Sequence, residues 1–226
     1  MTYEAFRKKI RARFEELSEQ EQVQTMPFRG EHLQIFPQVF SPKLFSESVW
    51  FGKQLTPLCQ GKKLLEVGTG TGIIAIMCAQ AGARVTATDI NPEAVRNAQE
   101  NFQTYNVEGQ VYYADVYTGL PEDKKYDIIF WNHPFNLSTE PEKKDLLKSI
   151  FDYRYKALEQ YVAQARNYLT QNGRLLLGTG NLADFKQLER IAQRHNYTLK
   201  ELSKDRCYID NDDFELYCQV LEFIQQ

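Results

Sequence analysis

The segment Leu64–Gly72, L-L-E-V-G-T-G-T-G, constrains this chain more than any other. An apolar run ends at Glu66-Val67 and breaks into alternating glycines, Gly68, Gly70 and Gly72, and a second apolar segment, Ile73 to Ala79, follows at once. That order predicts a strand, a tight turn and a helix start. Glycine lets such a turn take left-handed dihedrals and bring bare backbone against a ligand, while the first N–H groups of the helix point outward. Few sites need this arrangement, and nearly all of them hold a nucleotide-like ligand.

From Lys62 onward, strand and helix patterns alternate. Strands are expected at 63–67, 84–88, 110–114, 126–131 and 174–178, and helices at 73–80, 93–105 and 182–195. Asn91 is suited to cap the second of these helices and Pro92 to open it. A polar insert, Leu137 to Lys144, precedes a segment whose apolar spacing predicts one long helix over 145–169. Two last strands, 197–203 and 215–223, are joined by the acidic turn Asp210 to Asp213. The pattern is α/β, with a mainly parallel sheet covered on both faces. Ahead of it, Phe6, Ile10, Phe14 and Leu17 recur at helical spacing over 3–20, residues 26–45 are Pro- and Phe-rich and read as loop, and 46–58 reads as helix. The division expected is an N-terminal helical extension or lid, 1–60, and one catalytic-type domain, 61–226.

Bulk properties narrow the classes. A chain of 226 residues with 42% apolar content can bury a sizeable core as one domain with an extension. A net charge of −3 supplies no overall basic field for nucleic acid. Arg7, Lys8, Lys9, Arg11 and Arg13 form a basic face on the first helix, read as the solvated side of a docked helix, with contact to a polyanion as the alternative. No apolar run reaches the length of a membrane span, and the charged start of the chain is not a secretory signal. Cys59, Cys78, Cys207 and Cys218 lack CxxC spacing. They read as buried free thiols of a cytoplasmic protein, with disulfides or zinc as the second reading, and no metal site is expected.

In an open parallel sheet, ligands sit beyond the carboxyl ends of the strands. Each informative residue falls at such an end: the turn from Gly68 through Thr69 and Gly70 to Gly72, then Asp89, Asp115 and Asn132. Asp89, with Ile90 beside it, lies about twenty residues past the turn, where a carboxylate accepts both hydroxyls of a ribose. A turn or helix-capping role is its plainer alternative. Asp115 is suited to an adenine amine, with the N–H of Val116 as a second contact. Glu66 either braces the turn by accepting N–H bonds or faces the amino end of a cofactor. Both roles are expected of an ionised carboxylate, because an unpaired buried one is costly.

G-x-G-x-G with Glu66 before it and Asp89 after it resembles the cofactor motif of the class I S-adenosylmethionine-dependent methyltransferases. The resemblance covers about residues 40–223 and implies a Rossmann-like, seven-stranded sheet whose last strand is antiparallel. It also implies S-adenosylmethionine as cofactor, held by Glu66, Gly68, Thr69, Gly70, Gly72, Asp89, Ile90, Asp115, Val116 and Asn132. After the fourth strand comes Asn132-His133-Pro134-Phe135, similar to the Asn-Pro-Pro-Tyr/Phe motif of the amino-methyltransferase branch. That branch methylates planar nitrogen, either a base amine or a glutamine amide in translation release factors. The lone pair of such a nitrogen is conjugated and weakly nucleophilic. Two acceptors, the Asn132 side-chain oxygen and the His133 main-chain carbonyl, hold its hydrogens and orient it for in-line displacement. The Phe135 ring is placed to stack on the substrate. His133 departs from the pattern, where proline is usual. It is expected as an exposed loop imidazole, with general base as the alternative.

The leading acceptor is therefore a protein or peptide nitrogen of the glutamine-amide type. An RNA or DNA base amine and a small-molecule amine are the alternatives. A non-catalytic cofactor-fold module and a nicotinamide oxidoreductase are the readings from other classes.

Overall fold

The structure is a computed structural model that describes residues 3–208 and 215–226, the side chains of residues 3 and 4 excepted. The expected acidic turn, Asp210 to Asp213, lies outside the described residues.

The chain runs α1 (Tyr3–Leu17), β1 (Gln24–Phe28), β2 (Glu31–Ile35), α2 (Glu47–Cys59), β3 (Lys63–Val67), α3 (Ile73–Gln80), β4 (Arg84–Asp89), α4 (Pro92–Thr104), β5 (Gly109–Tyr113) and β6 (Tyr126–Asn132). It continues through β7 (Asn136–Ser138), α5 (Asp145–Lys148), β8 (Phe151–Tyr153), α6 (Lys156–Gln164), β9 (Leu169–Gly180), α7 (Phe185–Arg194), β10 (Tyr197–Cys207) and β11 (Leu216–Gln225). Seven strands form one sheet in the order β10-β11-β9-β6-β3-β4-β5. All neighbours are parallel except β11, which is antiparallel to both β9 and β10. The α/β class and the antiparallel last strand are as the sequence predicts.

Strands buried on both faces read as continuous apolar runs. Leu64, Ile128 and Phe130 pack with Phe51 and Leu55 of α2, Ile73 and Ile76 of α3 and Phe102 of α4. On the opposite face Leu65, Ile129 and Trp131 pack with Leu158 and Tyr161 of α6 and Leu188 and Ile191 of α7. Each such side chain contributes about 1.5–3 kcal/mol by leaving water. The consequence for function is a rigid comb of strands whose carboxyl ends are held in register: Val67 pairs with Thr88 and with Trp131, and Asn132 with Gly178.

Two segments differ from the sequence reading. Residues 26–45 are not all loop, because β1 and β2 form a hairpin around Arg29-Gly30, both at positive φ (48° and 88°). Helix asparagines serve the backbone of β2 and of the residue after it: Asn101 Oδ1 accepts from Gln34 N and Asn97 Oδ1 from Phe36 N, each at 2.9 Å. The predicted helix over 145–169 is also broken. Arg154 and Tyr155 sit at φ 53° and 51°, in the left-handed region that a right-handed helix cannot pass through. The chain instead makes α5, a short parallel pair β7–β8, and then α6, whose N-terminus is capped by the Asp152 carboxylate on Ala157 N and Leu158 N.

All four cysteines are free and buried. Among the described residues there is no cluster of three or more His, Cys, Asp or Glu able to hold a metal ion, and no helix is long and apolar enough to cross a membrane.

Candidate active site

A cavity of about 600 Å3 lies at the carboxyl ends of β3, β4, β5 and β6. Its floor is the glycine turn. Gly68 and Gly70 have φ of 63° and 56°, where any Cβ is strained. Their surroundings differ: a Cβ on Gly68 would stand 2.6 Å from Trp131 Nε1, whereas one on Gly70 would meet nothing nearer than Val39 at 4.0 Å and would project into the cavity. The turn is thus cleared of side chains on the side that faces the cavity.

Glu66 ends β3 beneath this turn and is 2% exposed. Its Oε2 accepts from Thr69 Oγ1 at 2.7 Å and from Ala75 N, in the first turn of α3, at 3.0 Å. Burial outweighs both bonds, and nearby Asp89 adds to it, so the carboxyl is pushed up to about 8. The ligand-free protein therefore holds Glu66 protonated at neutral pH. This corrects the expectation of an ionised group, because two donors on one oxygen do not replace the water that was lost.

Asp89 serves the turn as well as the cavity. Its Oδ2 accepts from Gly70 N and its Oδ1 from Asn91 N, each at 2.9 Å. Asn91 in turn caps α4 by accepting from Glu93 N. Burial pushes the Asp89 carboxyl up to about 6, against the pull of these backbone donors. Both carboxyls gain from a ligand rich in N–H and O–H donors, which is the chemistry of an amino acid joined to a ribose. Asp115 and Val116 follow β5 at the cavity wall, with Asp115 N and O bonded to Thr118 in a tight turn.

The cavity also takes in Thr69, Ile90, Asn132, His133, Pro134 and Phe135. Of the expected cofactor residues, Gly72 alone lies off its wall. It packs at the start of α3 against Phe102 and Ala98. Asn132 ends β6, and its Oδ1 is buried with no hydrogen-bond partner. A buried acceptor without a donor costs about 1–3 kcal/mol, which a ligand N–H would recover. No described residue donates to the main-chain carbonyl of His133.

His133 is not exposed as expected but 2% exposed. The loop after β6 folds under β9, where His133 N donates to Gly178 O and His133 Nε2 pairs with Thr179 Oγ1 at 2.9 Å. Burial drives the imidazole down to about 3. It is neutral throughout the physiological range, and nothing ionised lies against it to reverse this.

Sequence reasoning missed three residues that shape this loop. Tyr155 donates to Phe135 O at 2.7 Å and accepts from Asp184 N at 3.0 Å, so its left-handed backbone serves to fasten the loop. Thr179 is the partner of His133. Glu47 opens α2, is 7% exposed and lines the cavity beside Asn132. An acid at a helix start and a tyrosine on an apolar face carry no signal of such roles, because both are common for local reasons.

The far wall comes from outside the sheet. Phe6 and Ile10 of α1 reach it together with Glu142 of the insert, Lys148 of α5 and Tyr153 of β8. The basic face of α1 is partly docked there. Arg7 donates to Leu137 O, and Arg11 makes a two-pronged bond to Glu142 while lying 4.3 Å from the centre of the Phe151 ring.

A Rossmann-like sheet with one antiparallel strand between β9 and β10 is the frame of the class I methyltransferases. The chain belongs to the methyltransferase small domain family, whose pattern matches residues 36–204. S-adenosylmethionine is the cofactor of that fold. A Methanocaldococcus jannaschii protein named for N5-glutamine methylation is 34% identical over 149 residues, 64% of this chain and 73% of its own length. The tRNA1(Val) (adenine(37)-N6)-methyltransferase of Glaesserella parasuis is 32% identical over 140 residues, 59% of this chain and 57% of its own. The T. thermophilus 16S rRNA N2 G1207 methyltransferase, solved with AdoMet and guanosine, has the same fold, with a TM-score of 0.66 at 19% identity. That match covers 91% of this chain and 50% of the rRNA enzyme, so the chain spans only about half the length of some of its relatives.

Proposed function

We propose that this protein transfers a methyl group from S-adenosylmethionine to a planar nitrogen, with a glutamine-like side-chain amide of a protein or peptide as its acceptor. The observation that carries the reading is the pair of acceptors at the end of β6, the unpartnered Asn132 Oδ1 and the free His133 carbonyl, one strand away from the glycine turn. The cofactor supplies a methyl group on a positively charged sulfur. The chain's own residues do the rest. Glu66 receives the amino end, Asp89 the ribose hydroxyls, and Asp115, Val116 and Ile90 the adenine, over the bare backbone of Gly68, Thr69 and Gly70. Asn132 and His133 hold the two hydrogens of the acceptor nitrogen. They aim its lone pair and stabilise the positive charge that develops on it. Pro134 stiffens the loop, and Phe135 presents a ring to the planar acceptor. Residues 1–60 act as a lid, with Phe6 and Ile10 closing the chamber.

The Methanocaldococcus relative supports the amide as acceptor. One observation favours a nucleic-acid base instead: Tyr153, on the cavity wall, has Arg154 and Lys156 at 5.2 and 4.8 Å from its ring, a small cationic stacking platform. Transfer of labelled methyl from S-adenosylmethionine into whole-cell extract separates the two. The amide reading expects label in the protein fraction, released as methylamine on acid hydrolysis. Label in nucleic acid would establish the base, and label in small molecules a metabolite amine. Binding of S-adenosylmethionine without transfer would indicate a non-catalytic module. Binding of NADH alone would refute the methyl donor.

A further inference from the structure

His133 brings two side-chain nitrogens to the loop after β6, and the fold uses one of them. Nε2 pairs with Thr179 Oγ1 of β9 at 2.9 Å, and Thr179 does not line the cavity. Nδ1 is buried with no hydrogen-bond partner, although His133 itself lines the cavity. The rings of Trp131, Phe135 and Tyr155 have their centres 6.1, 5.7 and 5.8 Å from that of the imidazole and bring it no acceptor. The Tyr155 hydroxyl is engaged with Phe135 O and Asp184 N.

A neutral imidazole donates from one nitrogen and accepts at the other, and here Thr179 decides which. Its hydroxyl is buried, and His133 Nε2 is its hydrogen-bond partner among the described residues. If Nε2–H were the donor, the hydroxyl proton would be left buried and unbonded, and unpaired donors are rarer than under-used acceptors. The hydroxyl therefore donates to Nε2, which assigns the ring proton to Nδ1. The site then carries two orphans of opposite sense on adjacent residues. One is the acceptor Asn132 Oδ1, the other the donor His133 Nδ1–H, and they do not bond each other.

We propose that the His133 side chain is a recognition group for the methyl acceptor: Nδ1–H donates to the carbonyl oxygen of the amide whose nitrogen Asn132 receives. The inference rests on the acceptor being a side-chain amide. Such an amide offers an N–H and a C=O on one carbon, the complement of the two orphans. A proline in place of His133 would keep the main-chain carbonyl but bring no donor. An alkylamine has no acceptor beside its nitrogen and would leave Nδ1–H buried and unbonded, which disfavours it. The positive charge of the reaction develops on nitrogen and gains nothing from a donor on oxygen. The bond therefore serves binding of the acceptor rather than the speed of the chemical step.

Two substitutions divide the imidazole. In His133→Gln the side-chain amide reaches the place of Nε2, keeping the bond to Thr179 and losing the Nδ1 donor. In His133→Asn the shorter amide takes the place of Nδ1 and loses Thr179. Labelled methyl transfer is measured at saturating S-adenosylmethionine against dilution of the protein fraction of the extract, with melting temperatures alongside. His133→Gln is expected to raise the half-saturating concentration of that fraction about 3- to 10-fold, the worth of one neutral hydrogen bond, with the maximal rate within about twofold. His133→Asn is expected to recover most of that loss. The nitrogen-15 spectrum of the wild-type imidazoles is a readout that needs neither turnover nor a variant, and His133 should show a protonated Nδ1 and a bare Nε2 at pH 7. Wild-type half-saturation in His133→Gln, a loss in His133→Asn as large as in His133→Gln, or a protonated Nε2 would each overturn the inference and leave amide methylation standing. Label in nucleic acid or small molecules with none in protein would overturn the amide reading, and the partner assigned to Nδ1 with it.

Discussion

Gly70→Ala separates the ligand-binding role of the glycine turn from its folding role. The added methyl meets no atom closer than Val39 at 4.0 Å, so it creates no clash within the protein. Its cost to the fold is the left-handed dihedral, φ 56°, at about 1–2 kcal/mol. In a chain of this size that lowers the melting temperature by roughly 2–8 °C. The same methyl stands in the cavity, where the proposed function puts the cofactor across the turn. Forcing a methyl into a filled site costs about 1–3 kcal/mol, so affinity for S-adenosylmethionine falls roughly 5- to 150-fold. Gly68→Ala is the control. Its Cβ would stand 2.6 Å from buried Trp131, so it destabilises the fold before any question of ligand arises. Calorimetry with S-adenosylmethionine and thermal melts on both variants make the measurement. A well-folded Gly70→Ala that binds the cofactor as tightly as wild type would refute the placement of the cofactor over this turn.

Glu66 predicts proton release on cofactor binding. Its carboxyl is held near 8 in the free protein, and the amino group of the cofactor would draw it into the ionised form. At pH 7 binding should release on the order of one proton, read from the dependence of binding heat on buffer ionisation enthalpy, and release should vanish by about pH 9. A buffer-independent heat at pH 7 would contradict the contact. The same raised carboxyl means that the folded free protein keeps a proton the unfolded chain loses from about pH 4.5 upward. The contribution of Glu66 to stability thus declines as pH rises from there to about 8. Tyr155→Phe removes the bonds to Phe135 O and Asp184 N and is expected to lower stability by about 1–3 kcal/mol. It should slow methyl transfer while leaving cofactor affinity unchanged, and an equal loss in both would show that the loop does not act separately.

The sheet was legible because its strands are apolar on both faces and their ends are marked by Gly68, Asp89, Asp115 and Asn132. Those signals are local in sequence. The hairpin over 24–35 was not legible, because its turn is Arg29-Gly30 and its backbone is served by Asn97 and Asn101, more than sixty residues away. The break at Arg154–Tyr155 escaped notice because neither glycine nor proline marks it. The left-handed pair is stabilised by what the Tyr155 hydroxyl reaches, which periodicity does not record. The site divides in the same way. Residue types and spacing picked out residues that line one cavity, whereas burial reset the charge states of Glu66 and His133. That burial comes from the packing of the strand ends against α3 and β9, a tertiary fact.

The central claim is that Asn132 holds a planar nitrogen for methylation. Its most direct test is labelled methyl transfer by wild type and Asn132→Ala, with S-adenosylmethionine affinity measured on both. Removing one positioned acceptor of developing charge should slow transfer about 10^2- to 10^3-fold and leave cofactor affinity within a few-fold. An Asn132→Ala protein that labels the same fraction at the wild-type rate would contradict the account.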